Sequence, residues 1–300
     1  MEEKLAELKK QLRGGVAPAL ATPLLADGYT VNVTAVPTLI DFLLERGVKG
    51  LFVGGTTGEG ILLDTAQRMR LHETAVTATN GRAPVLLHIG ANRMDTAVTL
   101  AQHAAQIGAD AIAAVTPTYY GMHDEALADY YHTIAAAVPQ MPLLLYDIPH
   151  MAVNGISAAL LRRLSRDVPS LAGVKSSQPN AQILRELLHA APPHLLMLAG
   201  NERIALGSLA MGADGLISGL STAVPEPFVA LTAAYARGDI AEAQQQHRII
   251  NQLLDLMPAG ARIGGIKQIL TERGIDMGTP VPPRPMPTSP IWAHMRDVLE

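Results

Sequence analysis

Short apolar runs alternate along most of the chain with loops bearing Gly, Thr, Ser or Asn, and then with segments in which apolar residues return every three or four positions. The rhythm reads as repeated β/α units. A short continuous apolar run suits a strand buried on both faces, and a 3.6-residue period suits a helix with one buried face. Strands are predicted at 16–21, 50–53, 85–89, 111–115, 142–146, 171–175, 195–199 and 215–218. Helices are predicted after them at 36–46, 64–79, 94–107, 125–137, 157–163, 180–190, 204–211 and 225–237. Gly47, Gly108, Gly212 and Gly238 each follow one of these helices, where a left-handed residue ends a helix well.

Strands apolar on both faces require a parallel sheet covered by helices, and eight such units close into a (β/α)8 TIM barrel. An open doubly wound sheet is the rival α/β architecture. No G-x-G-x-x-G follows the first strand, and the loop Gly54-Gly55-Thr56-Thr57-Gly58-Glu59-Gly60 has a different glycine order. The predicted organisation is an N-terminal helix in 1–14 that caps the barrel floor, the barrel in 15–238, and a C-terminal helical extension in 239–300. The extension carries helices at 240–257, 261–273 and 292–300 and a Pro-rich connector at 279–290.

Composition narrows the function classes. Apolar residues make up 48% of the chain and charged residues 17%, enough for a large core and too little charge for a disordered chain. A net charge of −4 offers no general footprint for nucleic acid or an anionic membrane. With no cysteine there can be no disulfide, thiol nucleophile or cysteinyl metal site. The charged start, MEEKLAELKKQLRGG, is not a secretory signal, and no stretch suits a membrane span. A soluble cytoplasmic protein is expected. None of the ten histidines forms an H-x-H or H-E-x-x-H cluster, so no metal is predicted. His88 and His150 fall at the barrel mouth, where packing or substrate shape is the expected role.

In a barrel, chemistry sits where strands end. Of the six lysines, only Lys175 ends an apolar strand. A rim lysine paired with a carboxylate is the bland reading. A Schiff-base lysine is the sharp one, and for it an amine that ordinarily titrates near about 10.4 must be neutral, which apolar strand walls bring about by desolvation. Gly55-Thr56-Thr57-Gly58-Glu59, directly after the second strand, can turn backbone N–H groups and two hydroxyls toward a carboxylate or phosphate, or can simply make a tight turn. Tyr146 ends the fifth strand, as a backbone-bonded phenol or as a proton carrier beside Lys175 and Thr57.

These residues resemble a known family. Gly55-Thr56-Thr57-Gly58-Glu59, Thr116-Pro117-Thr118-Tyr119-Tyr120, Tyr146-Asp147-Ile148-Pro149 and Gly173-Val174-Lys175 are similar in order and spacing to the motifs of the dihydrodipicolinate synthase and N-acetylneuraminate lyase family, the pyruvate-dependent class I aldolases. Gly200-Asn201-Glu202 and 212–219 add to the likeness, which spans roughly 15–290. The resemblance implies that Lys175 forms an imine with pyruvate or another 2-oxo acid and that the amides of Thr56 and Thr57, beside Gly55, hold its carboxylate. It implies further that Tyr146 is the general acid/base, linked by the hydroxyl of Thr57 to a tyrosine from a neighbouring subunit. A gap-free reading from Pro117 to Glu125 places Tyr119 there, with Tyr120 as the other candidate. A homodimer or homotetramer follows, with a small 2-oxo acid and an aldehyde as partners. No cofactor is required beyond the covalent imine.

Departures bear on the substrate. Where dihydrodipicolinate synthases usually carry an arginine, this chain has Met151, after His150; Asp147 and Ala152 replace the usual asparagine and small hydroxyl residue. A thioether cannot replace a fork of charged donors. Glu202 falls where the lyases bind polyol hydroxyls, and Ser218 and His150 are further contacts. These features favour a hydroxylated 2-oxo acid, such as a 2-keto-3-deoxy sugar acid, over the alternative of 4-hydroxy-tetrahydrodipicolinate synthesis from pyruvate and aspartate semialdehyde. A non-covalent barrel holding a phosphorylated metabolite at 212–219 is a further alternative. A catalytically retired relative is disfavoured because no packing need selects Lys175, Tyr146 and Thr57 together.

Overall fold

The computed structural model describes residues 1–300. Eight parallel strands form a TIM barrel: β1 Val16–Pro18, β2 Leu51–Val53, β3 Val85–His88, β4 Ala111–Val115, β5 Leu143–Asp147, β6 Leu171–Ser176, β7 Leu196–Ala199 and β8 Gly215–Ser218. Each strand pairs with the next in sequence from β2 to β8, and β8 pairs with β1. A parallel bridge between Ala19 and Phe52, with the Leu20 amide donating to the Phe52 carbonyl at 2.9 Å, brings β1 and β2 together. The expected strands are all present, four of them (β1, β2, β3 and β7) one to three residues shorter than the apolar runs. Apolar residues just past the strand ends, such as Ala21 and Ile89, are buried without belonging to a strand.

Alternation sorts the strand residues into two cores. In β4, Ala111, Ala113 and Val115 fill the barrel, whereas Ile112 and Ala114 face the helices. Leu144 and Tyr146 point inward from β5, and Leu143 and Leu145 outward. The N-terminal helix Glu2–Leu12 sends Leu8 and Leu12 into the inner core, as expected of a cap on the floor.

Strand β6 breaks this alternation. Leu143 is level with Leu171, but Leu144 is level with Gly173, so Ala172 is an extra residue, a β-bulge. Ala172 packs in the inner core and Val174 in the outer one. Uninterrupted alternation from Ala172 would send Val174 inward and Lys175 outward. The bulge reverses that parity and sets Lys175 level with inward-facing Tyr146. Gly173 permits it, because a Cβ there would lie 1.9 Å from the Leu196 carbonyl oxygen.

The C-terminal helices Ile240–Asp255, Arg262–Glu272 and Trp292–Leu299 share the outer core with the barrel through Leu253, Ile266, Ile269 and Met295. A second tie reaches the loop after β2. Lys267, read from sequence only as a residue of a C-terminal helix, is wholly buried and lies 2.9 Å from Glu59, which is equally buried. The Lys267 ammonium also donates to the Thr279 carbonyl at 2.8 Å, and Glu59 accepts from the Val281 amide at 2.9 Å. Removing one member of a buried pair strands the other charge, at a cost of about 3–5 kcal/mol. Lys267→Met is therefore expected to lower the thermal unfolding midpoint by several degrees, and adding Glu59→Gln is expected to recover much of the loss. Calorimetry of the single and double variants checks this; an unchanged midpoint for Lys267→Met would refute it.

Candidate active site

The carboxyl ends of the strands open into a cavity of about 450 Å³ lined by Lys175, Tyr146, Thr56, Thr57, Glu202 and His150 among others. Six residues singled out from sequence therefore meet in one place. Lys175 is 3% exposed, and its ammonium nitrogen lies 3.9 Å from the ring centre of Phe52 and 4.0 Å from that of Tyr146. Ring faces attract an ammonium. Desolvation opposes them and prevails: burial brings the Lys175 amine down to about 7, with Glu202 pulling weakly the other way. About half of the amine is then neutral at neutral pH, against fewer than about one in a thousand for an ordinary lysine.

Tyr146 is 2% exposed and its hydroxyl shares a hydrogen bond of 2.9 Å with the Thr56 hydroxyl. Burial pushes the phenol up to about 12, against the opposing pull of hydrogen bonds from Thr56 and Ser177. The threonine that touches Tyr146 is thus Thr56 and not Thr57, as the motif reading had it. Thr57 faces the other side of the mouth, where a Cβ on Gly219 would stand 2.7 Å from its hydroxyl oxygen. The loop is sharply folded: a Cβ on Gly60 would fall 1.8 Å from the Gly54 carbonyl oxygen. Within it, the amides of Thr56 and Thr57 donate to no protein acceptor.

Three predicted site residues stand outside the cavity wall. Gly55 packs its backbone against the Phe52 ring, 2.4 Å from where a Cβ would be. Ser218 is buried and donates to Glu202 at 2.7 Å, so it positions that carboxylate rather than meeting substrate. Glu202 also accepts from the Leu220 amide and pairs with Arg262, so its oxygens are already engaged. Tyr119 is 79% exposed, stacked edge-on with Tyr120, and holds a φ of 78°, unusual for a residue with a side chain.

His88 packs below the mouth and also lines an adjoining cavity of about 330 Å³. It is buried, bonded to the Gly54 carbonyl and the Val115 amide, and held neutral by burial beside the Arg68 cation. His150 is exposed at the mouth. Asp147 lies under the floor of the site, where its carboxylate, raised by burial, accepts from the Ile156 amide and the Ser176 hydroxyl. Nowhere do three or more His, Asp or Glu side chains gather closely enough to hold a metal ion. No helix is long and apolar enough to cross a membrane. Sequence reasoning missed Phe52, Arg262 and Arg284. Phe52 had a signal, an aromatic in an apolar strand two residues before the Gly54 turn; the arginines come from the C-terminal extension and had none.

A family model for the dihydrodipicolinate synthetase family matches residues 12–297. The chain belongs to that family. Dihydrodipicolinate synthetase family members are class I lyases and aldolases that act on pyruvate, and this chain is an enzyme of that class. Its relatives within the family differ in activity. It is 35% identical over 245 residues to a 4-hydroxy-tetrahydrodipicolinate synthase of Salinibacter ruber, covering 82% of this chain and 78% of the relative. It is 34% identical over 242 residues to a probable 2-dehydro-3-deoxy-D-pentonate aldolase of Escherichia coli, covering 80% of each. The sialic acid aldolase of Ruminococcus gnavus superimposes with a TM-score of 0.90 at 27% identity, over 96% of both chains.

Proposed function

We propose that this enzyme forms an imine between Lys175 and the keto carbon of pyruvate or another 2-oxo acid, and uses it to cleave or form a hydroxylated 2-oxo acid such as a 2-keto-3-deoxy sugar acid. The observation that carries this reading is a desolvated Lys175 amine, brought down to about 7, against the ring of a tyrosine whose hydroxyl is bonded to Thr56. In the cleavage direction the neutral amine attacks the keto carbon, and the carbinolamine takes up one proton and loses water, giving a protonated imine. Tyr146 passes the proton of the C4 hydroxyl to Thr56, the C3–C4 bond breaks, and its electron pair moves to nitrogen to make an enamine. The aldehyde departs, C3 takes back the proton that the Tyr146–Thr56 pair received, and water releases pyruvate, the free amine and the proton taken up when the imine formed. The free amides of Thr56 and Thr57 hold the substrate carboxylate.

Thr56 takes the relay role that the motif reading gave to Thr57. Tyr119 extends the relay from a neighbouring subunit of a dimer or tetramer, a reading supported by its exposure and strained backbone. Synthesis from aspartate semialdehyde is kept as a second reading by the Salinibacter ruber relative. Met151 opposes it.

Borohydride reduction with pyruvate is expected to add a stable mass to a peptide containing Lys175. Because only the neutral amine attacks, the trapping rate at saturating borohydride should climb as pH rises through about 7 and level off above. No adduct, or a midpoint near that of an ordinary lysine, would overturn the proposal.

A further inference from the structure

Two loops at the rim of the barrel mouth each hold one residue in a backbone conformation that costs energy. Tyr119, after β4, has a φ of 78°, and Val153, after β5, has a φ of 71°, although neither is a glycine. Such strain persists only where the surroundings over-determine it. Asn154 supplies that constraint. It is buried where the loops meet, and both N–H groups and the oxygen of its side-chain amide are taken by the Tyr119 loop. Nδ2 donates to the Pro117 carbonyl at 2.7 Å and to the Tyr120 carbonyl at 2.8 Å, and Oδ1 accepts from the Met122 amide at 2.7 Å. The Asn154 backbone carbonyl accepts from the Thr116 hydroxyl at 2.9 Å.

These bonds fall on both sides of Tyr119, so they fix its loop and leave the phenol free. The loop's other post is Asn92, whose side-chain oxygen accepts from the Thr118 amide and hydroxyl at 2.7 and 2.9 Å. Asn92 is exposed, and water can replace it at little cost. Losing the Asn154 amide would instead leave two carbonyls and an N–H unmet, and no other side chain of its length offers two donors and an acceptor. The clamp also stands on the strands that carry the reacting groups. Two residues on, the Ile156 amide donates to Asp147, next to Tyr146, and Asp147 accepts from the hydroxyl of Ser176, next to Lys175. One hydrogen-bonded frame thus joins the Tyr119 loop to the phenol and the amine.

We infer that Asn154 is a positioning residue for proton transfer, holding the strained Tyr119 backbone so that the phenol projects in one fixed direction into the neighbouring subunit. The inference rests on the reading of Tyr119 as the end of the relay. Asn154 does not line the cavity and acts only through the tyrosine. Without its amide, Tyr119 can relax to a negative φ and swing its side chain off the relay. Proton movement then slows, while imine formation, which depends on Lys175, continues.

Pyruvate in heavy water tests this with no aldehyde. Once the protonated imine has formed, a C3 proton leaves to the Tyr146–Thr56 pair, its bonding electrons make the enamine, and a deuteron returned through the relay labels C3, which proton NMR follows. Asn154→Ala is expected to lower the maximal exchange rate about 10- to 100-fold, the scale of a misplaced reacting group, while the pyruvate concentration for half-maximal borohydride trapping at Lys175 stays within about twofold of wild type. Asn154→Asp, which keeps the acceptor for Met122 and loses both donors, should behave alike. Tyr119→Phe should slow exchange too, and adding Asn154→Ala to it should cost little more, because the clamp then has no hydroxyl to place. Sedimentation and circular dichroism establish that each variant folds and assembles as wild type does. Exchange near the wild-type rate in both Asn154 variants, an equal further loss in the Tyr119→Phe background, a matching loss of trapping, or failure of both Asn154 variants to fold and assemble would each overturn the inference. A normal exchange rate in Tyr119→Phe would instead sink the relay reading and this inference with it.

Discussion

Lys175→Ala is expected to abolish borohydride trapping with pyruvate and to reduce aldol turnover below detection while the barrel stays folded. No other lysine can substitute. Lys267 is the only other buried one, and it is bound to Glu59 and the Thr279 carbonyl. Losing the nucleophile removes the covalent route altogether rather than weakening it. The same variant carries a stability signature with a definite sign. In the wild type the folded-state amine titrates at about 7, below its unfolded value of 10.5, so between these values the unfolded chain binds more protons. Wild-type stability therefore gains from this group as pH rises from about 7 toward 10.5, and below that window the buried ammonium is a full burden. Lys175→Ala lacks the burden, so its stability relative to wild type should be greater at pH 6 than at pH 10. Circular dichroism melts across that range, with turnover assays alongside, check both statements. Residual turnover near the wild-type rate would contradict the mechanism.

Tyr146→Phe should separate binding from proton transfer. The substitution keeps the ring that lies 4.0 Å from the Lys175 nitrogen and removes only the hydroxyl bonded to Thr56. The lysine keeps its apolar surroundings, so pyruvate trapping should persist. Turnover with an aldehyde partner should fall by about 10²- to 10⁴-fold, the usual worth of a placed general acid/base. Because burial pushes the phenol up to about 12, Tyr146 is neutral over the working pH range and must pass on any proton it accepts, which is why its bond to Thr56 matters. Single-turnover measurements that found the chemical step unchanged would remove Tyr146 from the proton path.

Much of the site is legible in the chain because barrel strands place their last residues at the mouth. Once 142–146 and 171–175 are read as strands, Tyr146 and Lys175 must lie near the same opening, and the glycine-framed threonines after β2 must join them. The exchange of Thr56 for Thr57 shows where that legibility ends. Adjacent hydroxyls on a turn face different ways, and which one meets the phenol depends on how the loop is folded back on Gly54. Arg262 and Arg284 were not legible because they are surface-like residues of helix and connector, brought over the mouth by packing of the extension. Lys267 looked like any helical lysine, and only its contact with Glu59, distant in sequence, makes it a strut.

From the order of its residues alone, this protein is an eight-unit barrel with a lysine, a tyrosine and a threonine pair gathered at one end, since apolar runs and helical periods are local properties of the chain. Whether that lysine faces substrate was decided elsewhere. Strand periodicity by itself points Lys175 out toward the helices when counted from Ala172, and the extra residue at Ala172 reverses it. The bulge exists because β5, β6 and β7 must stay in register while Gly173 lies against the Leu196 carbonyl, a constraint set by neighbouring strands and carried by no single segment.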